Sequence, residues 1–223
     1  MSKTALLLGG TGETGKEVLK QLVNTKVYTK VICLGRRTVD FPKSDGWEKI
    51  EQKIVDFDNL GQHSESFRGV DTAFCCLGTT RGKAGKEGFI KVDYDYVLES
   101  AKLLKAASCS DFHLLTSKGS NKNSWFLYPS TKGKVEEAVK ELEFPRLTIY
   151  RPGLLKCDRV EKRSGEEMIR WVANMIDKAN SWSIPTSMVA QAMVASSLTP
   201  TTPGVEILEH SEVVRVATEA TSQ

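Results

Sequence analysis

A short apolar run that ends in three evenly spaced glycines constrains this chain more than any other feature. Leu6-Leu7-Leu8 predicts a buried strand, and Gly9, Gly12 and Gly15 follow it before a segment with helical periodicity. Glycines at such a turn let the backbone approach a ligand closely, and the N-terminus of the next helix attracts phosphate groups. The usual dinucleotide fingerprint is GxGxxG, so the GxxGxxG spacing here is a variant of it. The segment predicts a dinucleotide site.

Strand-like and helix-like segments alternate along the first two thirds of the chain, as expected for a parallel sheet covered on both faces. Candidate strands span residues 4–8, 30–34, 50–56, 72–77, 112–116 and 147–150. Candidate helices span residues 14–25, 59–67, 94–107 and 130–142. The sequence therefore predicts an α/β fold with a doubly wound parallel sheet of the Rossmann type.

The alternating pattern changes after Arg151-Pro152-Gly153. The segments that follow predict an amphipathic helix through 168–176, a helix over 188–197 and a late strand at 205–208. We expect residues 1–223 to form a single domain, because this last third is too small to fold alone. Residues 154–223 are predicted to form a small substrate-side lobe within it, at the carboxyl edge of the sheet, where such folds bind ligands.

Composition and charge exclude several classes of protein. The net charge is +3 and like charges form no long run, so direct binding to nucleic acid is not expected. No apolar stretch approaches the ~18 residues of a membrane helix, so membrane insertion is not expected. The five cysteines lack CxxC spacing and the three histidines are scattered, which predicts no metal site. These features indicate a reducing compartment: the cytoplasm, with the nucleus as a second location.

The turn after the second predicted strand indicates the cofactor. NAD-specific sites carry an acidic residue roughly 20 residues beyond the glycines, where it holds the ribose 2′-hydroxyl. Here Arg36 and Arg37 stand at that place. Guanidinium groups bind a 2′-phosphate through charge-assisted hydrogen bonds, whereas the alternative is two solvated surface arginines. The pair predicts NADP(H).

Two further strand ends face the same ligand. Leu77 and Gly78 follow the fourth strand and would present backbone to the adenosine side of the cofactor. Asp56 closes the third strand, where it either contacts adenine or caps the next helix.

Tyr128 and Lys132 form the candidate catalytic pair. They are four residues apart at the start of a predicted helix, so their side chains share one face. A nearby cation makes a phenol a better proton donor and acceptor near neutral pH. A tyrosine tuned in this way protonates a carbonyl oxygen as hydride arrives. Ser117 is the preferred hydroxyl to hold the substrate oxygen, and Thr116 is the alternative.

Several segments together resemble the atypical short-chain dehydrogenase/reductases. They are the glycine turn, Arg36-Arg37, the Tyr128/Lys132 pair and Arg151-Pro152-Gly153. The stretch from Phe74 to Gly85, FCCLGTTRGKAG, is more discriminating and resembles the oxidoreductase family of the Tat-interacting protein. The likeness also includes Ser117-Lys118-Gly119 and extends from Thr4 to about Leu208.

The resemblance implies a set of NADPH contacts. Those in the amino-terminal half are Thr11, Gly12, Glu13, Thr14, Arg36, Arg37, Leu77 and Gly78. Those in the carboxyl-terminal half are Tyr128, Lys132, Leu155 and Arg163, with Lys162 or Arg159 as alternatives to Arg163. Tyr128 would be the proton acceptor.

Two functions remain open at this point. One is an NADPH-dependent oxidoreductase that transfers hydride to a small carbonyl substrate whose identity the sequence does not give. The other is an NADPH-binding regulator with protein partners, which the resemblance keeps open because this family is known for associations in transcription and nuclear transport. The intact Tyr128/Lys132 pair favours the enzyme. A nucleotide-sugar epimerase would share the tyrosine chemistry but needs a larger lobe than the residues after Gly153 provide.

Overall fold

A computed structural model describes residues 2–42, 45–156, 182–200 and 203–221. The strands are β1 (Lys3–Leu8), β2 (Tyr28–Gly35), β3 (Ile50–Ile54), β4 (Thr72–Cys75), β5 (Asp111–Leu115), β6 (Arg146–Arg151), β7 (Leu154–Lys156), β8 (Ser183–Pro185) and β9 (Gly204–Glu209). The α-helices are α1 (Glu13–Asn24), α2 (Arg81–Ile90), α3 (Tyr96–Ala106), α4 (Leu127–Lys140), α5 (Thr186–Leu198) and α6 (His210–Thr221). A π-helical turn, Lys91–Asp95, joins α2 to α3, and 3₁₀ segments cover Trp47–Lys49 and Phe57–Phe67.

A seven-stranded sheet in the order β3-β2-β1-β4-β5-β6-β9 organises the fold, and every strand pair in it is parallel. The strand order reverses between β1 and β4, and ligands of such sheets bind at the carboxyl ends of strands at this point. β7 and β8 form a separate two-stranded parallel sheet. The predicted doubly wound α/β fold is confirmed.

The core has two layers because alternate residues of a strand face opposite sides of the sheet. On β1, Leu6 and Leu8 face the layer that holds α3 and α4. Ala5 and Leu7 face the layer that holds α1, α5 and α6. All four side chains are fully buried, which accounts for the continuous apolar run in the sequence.

The structure differs from the sequence-based prediction at several elements. Residues 59–67 form part of a 3₁₀ segment interrupted at Asn59 and His63, rather than a helix. The helix predicted from residue 94 is preceded by α2, whose three glycines weaken the helical signal. The predicted strand 72–77 ends at Cys75, and α6 was not predicted.

The carboxyl-terminal third contributes directly to the main sheet. β9 pairs with β6 along its whole length, and α5 packs in the same core layer as α1. The predicted helix through 168–176 lies outside the described residues. The division into one domain with a lobe at 154–223 therefore stays a prediction. None of the helices in the described part of the chain is long and apolar enough to cross a bilayer.

Candidate dinucleotide and catalytic site

The glycine turn after β1 is packed so closely that side chains would not fit. Gly9 has a φ of 86°, and a Cβ there would lie 2.5 Å from the carbonyl oxygen of Cys76. A Cβ on Gly15 would lie 2.1 Å from the carbonyl oxygen of Gly9. The turn, the start of α1 and the end of β4 thus meet backbone to backbone, and a side chain at Gly9 or Gly15 would force them apart.

The N-terminus of α1 lies directly behind this turn. Gly12 is the N-cap residue, its amide donates to the Gly9 carbonyl at 2.9 Å, and no side chain caps the helix. Thr11 and Glu13 are half-buried beside it, whereas Thr14 is buried. The positive end of the helix dipole is therefore available to an anion.

Arg36 and Arg37 are both exposed immediately after β2, at the same edge of the sheet. Arg36 acts electrostatically on Asp58. The hydrogen bonds of Asp58 with Lys91 and Tyr96, reinforced by Arg36, hold the pKa of this carboxyl below its usual range. The end of β2 thus carries two exposed guanidinium groups, one of which acts on a nearby carboxyl.

The Asp56 carboxylate binds groups at the start of the 3₁₀ segment that follows β3. It accepts from the Asp58 amide at 2.9 Å and from the Asn59 side chain at 2.8 Å. It caps the 3₁₀ segment, which is the second of the two roles predicted for it. After β4, which is separated from β3 by β2 and β1, Leu77 is half-buried and Gly78 is exposed.

The first turns of α4 carry the Tyr128/Lys132 pair. The ring of Tyr128 stacks on the buried ring of Phe89, with 5.6 Å between ring centroids. Lys132 Nζ lies 2.7 Å from Asp93 Oδ1, and both side chains are almost completely buried. Burial disfavours the charged form of Lys132, but the attraction of Asp93 and Tyr128 outweighs it and raises the pKa of the lysine. The ion pair with Asp93 thus favours the charged form of Lys132, one helical turn from Tyr128.

The two candidate hydroxyls after β5 have different surroundings. Thr116 Oγ1 donates to the buried carboxylate of Glu136 at 2.6 Å. That carboxylate also binds Arg151, whose Nη1 contacts Glu209 at 2.9 Å. Ser117 Oγ is buried and has no hydrogen-bond partner among the described residues. Thr116 is engaged in holding the strand ends together, whereas the buried Ser117 hydroxyl has no described partner.

The segment after β6 reaches the same side of the sheet. The amide of Lys118 donates to the Pro152 carbonyl at 2.8 Å, and Lys118 Nζ lies 3.4 Å from the ring centroid of Trp182. Leu155 on β7 is half-buried against the core. Arg163 and its alternatives Lys162 and Arg159 lie outside the described residues.

Sequence reasoning missed three residues that shape this site. Asp93 pairs with Lys132, Glu136 anchors Thr116, and Gly133 brings α4 against the loop after β5. A Cβ on Gly133 would lie 2.2 Å from the Lys122 amide nitrogen. The sequence offers no signal that separates Asp93 from the other acidic residues around it, because its partner is distant in the chain. The groups of His, Cys, Asp and Glu in the described ranges include none arranged to hold a metal ion.

The fold and the glycine turn define a dinucleotide-binding protein of the Rossmann type. A protein-family model described as NAD(P)H-binding matches residues 9–200. Protein HTATIP2 of Rattus norvegicus is 42% identical over 217 residues, which cover 96% of this chain and 89% of that protein. The chain therefore belongs to the NAD(P)H-binding family, in the group related to HTATIP2. The family resemblance predicted from the sequence is confirmed, and a nicotinamide dinucleotide is the cofactor type.

Other relatives agree with this placement. The protein "FMP52, mitochondrial" of Meyerozyma guilliermondii is 35% identical over 227 residues, covering 96% of this chain and 95% of that protein. Among solved structures, MoeE5 in complex with UDP-glucuronic acid and NAD is 12% identical, with a TM-score of 0.71 over 98% of this chain and 82% of its own. UDP-glucose 4-epimerase from Bifidobacterium longum is 14% identical, with a TM-score of 0.70 over 93% of this chain and 77% of its own. At these identities the two structures show the fold alone.

Proposed function

We propose that this protein is an NADPH-dependent oxidoreductase that reduces a small carbonyl substrate. The observation that carries the proposal is the arrangement at the carboxyl edge of the sheet. Tyr128 lies beside a buried lysine cation, and the hydroxyl of Ser117 is buried without a described partner. The glycine turn that suits a dinucleotide lies at the same edge. Together these groups supply what carbonyl reduction needs.

The residues divide the chemistry between them. When bound, NADPH supplies the hydride that reduces the carbonyl carbon. Ser117 Oγ donates a hydrogen bond to the carbonyl oxygen and orients it. The Tyr128 phenol gives its proton to that oxygen, so that the product is an alcohol. Lys132 then stabilises the phenolate until a proton from solvent replaces the one transferred.

The preference for NADPH over NADH forms part of the proposal. Both arginines after β2 are exposed at the edge where the adenosine is proposed to bind, and Arg36 already acts on the Asp58 carboxyl. A 2′-phosphate at this edge would gain charge-assisted hydrogen bonds that NADH cannot form.

Replacing Arg36 and Arg37 together by Ala is expected to weaken NADPH binding about 100-fold and to change NADH binding less than threefold. The matched control replaces Arg68 and Arg215 with Ala. Both are exposed, neither follows β2, and the change removes the same charge. Fluorescence titration of the reduced nicotinamide measures both affinities. Equal losses for the two cofactors would contradict recognition of the 2′-phosphate.

Replacing Ser117 by Ala is expected to lower kcat about 100-fold, because one donor to the developing oxyanion is lost. Thr116→Val tests the alternative: it removes the hydrogen bond to Glu136 and is expected to cost about 1–3 kcal/mol of stability, with a smaller effect on kcat. NADPH consumption is followed by absorbance over a panel of aromatic and aliphatic aldehydes and ketones. A larger kcat loss in Thr116→Val than in Ser117→Ala would transfer the role to Thr116.

The same screen separates the enzyme from the regulator. Turnover of a carbonyl by the native protein supports the oxidoreductase. Tight NADPH binding with no consumption across the panel would instead favour an NADPH-binding regulatory protein, and the proposal would fail.

A further inference from the structure

Two helical segments contact each other at matching positions under the candidate site. Phe89 near the end of α2 stacks on Tyr128, and Asp93 in the π-helical turn binds Lys132. Phe89 and Asp93 are four positions apart, as are Tyr128 and Lys132, and the first residue of one pair contacts the first residue of the other. The segment from α2 into the π turn therefore presents one residue to each member of the Tyr128/Lys132 pair. π-helical turns are rare, and they occur frequently at functional sites.

The ion pair at the centre of this contact is buried. The Lys132 side chain is 6% exposed and that of Asp93 is 1% exposed. Charges taken out of water are destabilising unless their remaining hydrogen-bonding groups are satisfied. The second carboxylate oxygen of Asp93 accepts from the Thr79 amide at 2.8 Å. Asp93 thereby links Lys132 to the turn that follows β4.

That turn also lies next to the ion pair. A Cβ on Gly78 would lie 3.4 Å from Asp93 Oδ1 and 3.8 Å from Lys132 Nζ. The backbone expected to approach the cofactor and the candidate catalytic lysine are thus held by the same carboxylate. A purely structural ion pair has no need to join these two parts of the site.

We propose that Asp93 is a positioning residue that fixes Lys132 beside Tyr128, balances its charge and ties both to the Gly78-Thr79 turn. This inference rests on the proposed function. In contrast to an unpaired lysine, a lysine paired with a carboxylate exerts a weaker field on a neighbouring phenol. Asp93 would therefore weaken the field that Lys132 exerts on the Tyr128 phenol.

The titratable groups that act on Lys132 are Asp93, Tyr128, Cys75 and, from the end of β4, Cys76. Burial raises the pKa of Cys75 to about 11 and also raises that of Cys76. Both thiols are consequently neutral at physiological pH. The negative charge that balances Lys132 comes from Asp93.

Asp93→Asn tests the charge while it preserves size and an acceptor for the Thr79 amide. The probe is the ultraviolet absorbance of tyrosinate in protein saturated with NADP⁺, and Tyr128→Phe identifies the step that belongs to Tyr128. We expect Asp93→Asn to move the midpoint of that step to lower pH by about one unit, because Lys132 loses its counter-charge. The control Asp95→Asn removes the same charge from an exposed position of the same π turn. It is expected to move the midpoint by less than about 0.2 unit.

A stability cycle tests the pairing without any catalysis. Lys132→Met alone leaves a buried carboxylate without its cation and is expected to lower the thermal midpoint by several degrees. The double variant Lys132→Met with Asp93→Asn is expected to recover a large part of that loss. Losses that simply add would overturn the inference, as would an Asp93→Asn midpoint equal to that of Asp95→Asn. If both tests succeed while no carbonyl is reduced, the proposed function fails and the role of Asp93 stands.

Discussion

Tyr128→Phe is expected to lower kcat about 1,000-fold and to change the dissociation constant for NADPH less than about threefold. The phenylalanine ring still stacks on Phe89, so the helix start keeps its packing. What disappears is the phenol oxygen, and with it the proton donor to the substrate oxygen. The native protein and the variant are compared by the absorbance change of NADPH with the best carbonyl of the panel.

Tyr94→Phe is the matched control, because it removes a phenol oxygen from a half-buried position in the π turn. Its kcat is expected to stay within about twofold of native. A Tyr128→Phe protein that folds, binds NADPH and retains more than about a tenth of the native rate would remove Tyr128 from the chemistry.

Gly15→Ala is expected to destabilise the protein by about 3 kcal/mol and to weaken NADPH binding at least about 100-fold. A Cβ at this position would lie 2.1 Å from the Gly9 carbonyl oxygen, so the turn after β1 must open to accommodate it. Helix propensity alone predicts that Gly15→Ala stabilises the protein, since Ala is favoured over Gly by about 1 kcal/mol inside a helix. The sign of the change therefore distinguishes close packing from local propensity.

Gly61→Ala is the control for this variant. A Cβ on Gly61 would meet no described atom within 4 Å, and the change is expected to alter stability by less than about 0.5 kcal/mol. Urea unfolding gives the free energies, and a fluorescence titration gives the NADPH affinity. A Gly15→Ala protein as stable as native, with native affinity, would show that the turn is not sterically closed.

The fold was largely predictable because its central strands are buried on both faces. Residues 4–8 and 112–116 are short and mostly apolar, as expected for strands of a covered parallel sheet, and β1 and β5 lie there. The 3₁₀ segment Phe57–Phe67 was mistaken for a helix, because its apolar spacing is similar while its backbone is irregular at Asn59 and His63. The glycine-rich α2 carried too weak a helical signal to be recognised.

The candidate site was predictable only where its signals are local. The glycine turn and the four-residue spacing of Tyr128 and Lys132 are properties of single segments. Asp93 and Glu136 act across the fold: α4 brings Lys132 against the π turn that holds Asp93, and it brings Glu136 against Arg151 on β6. No periodicity or motif in one segment indicates such a pairing. The alternatives Ser117 and Thr116 likewise differ in a contact that the sequence does not show, because Glu136 binds the threonine.

The most direct test of this account is a crystal structure of the protein with NADP⁺ bound. We expect the adenosine 2′-phosphate within hydrogen-bonding distance of the Arg36 or Arg37 guanidinium, with the pyrophosphate over the start of α1. The reactive carbon of the nicotinamide is expected to face Tyr128 and Ser117. A 2′-phosphate remote from both arginines, or a nicotinamide ring directed away from Tyr128, would contradict the account.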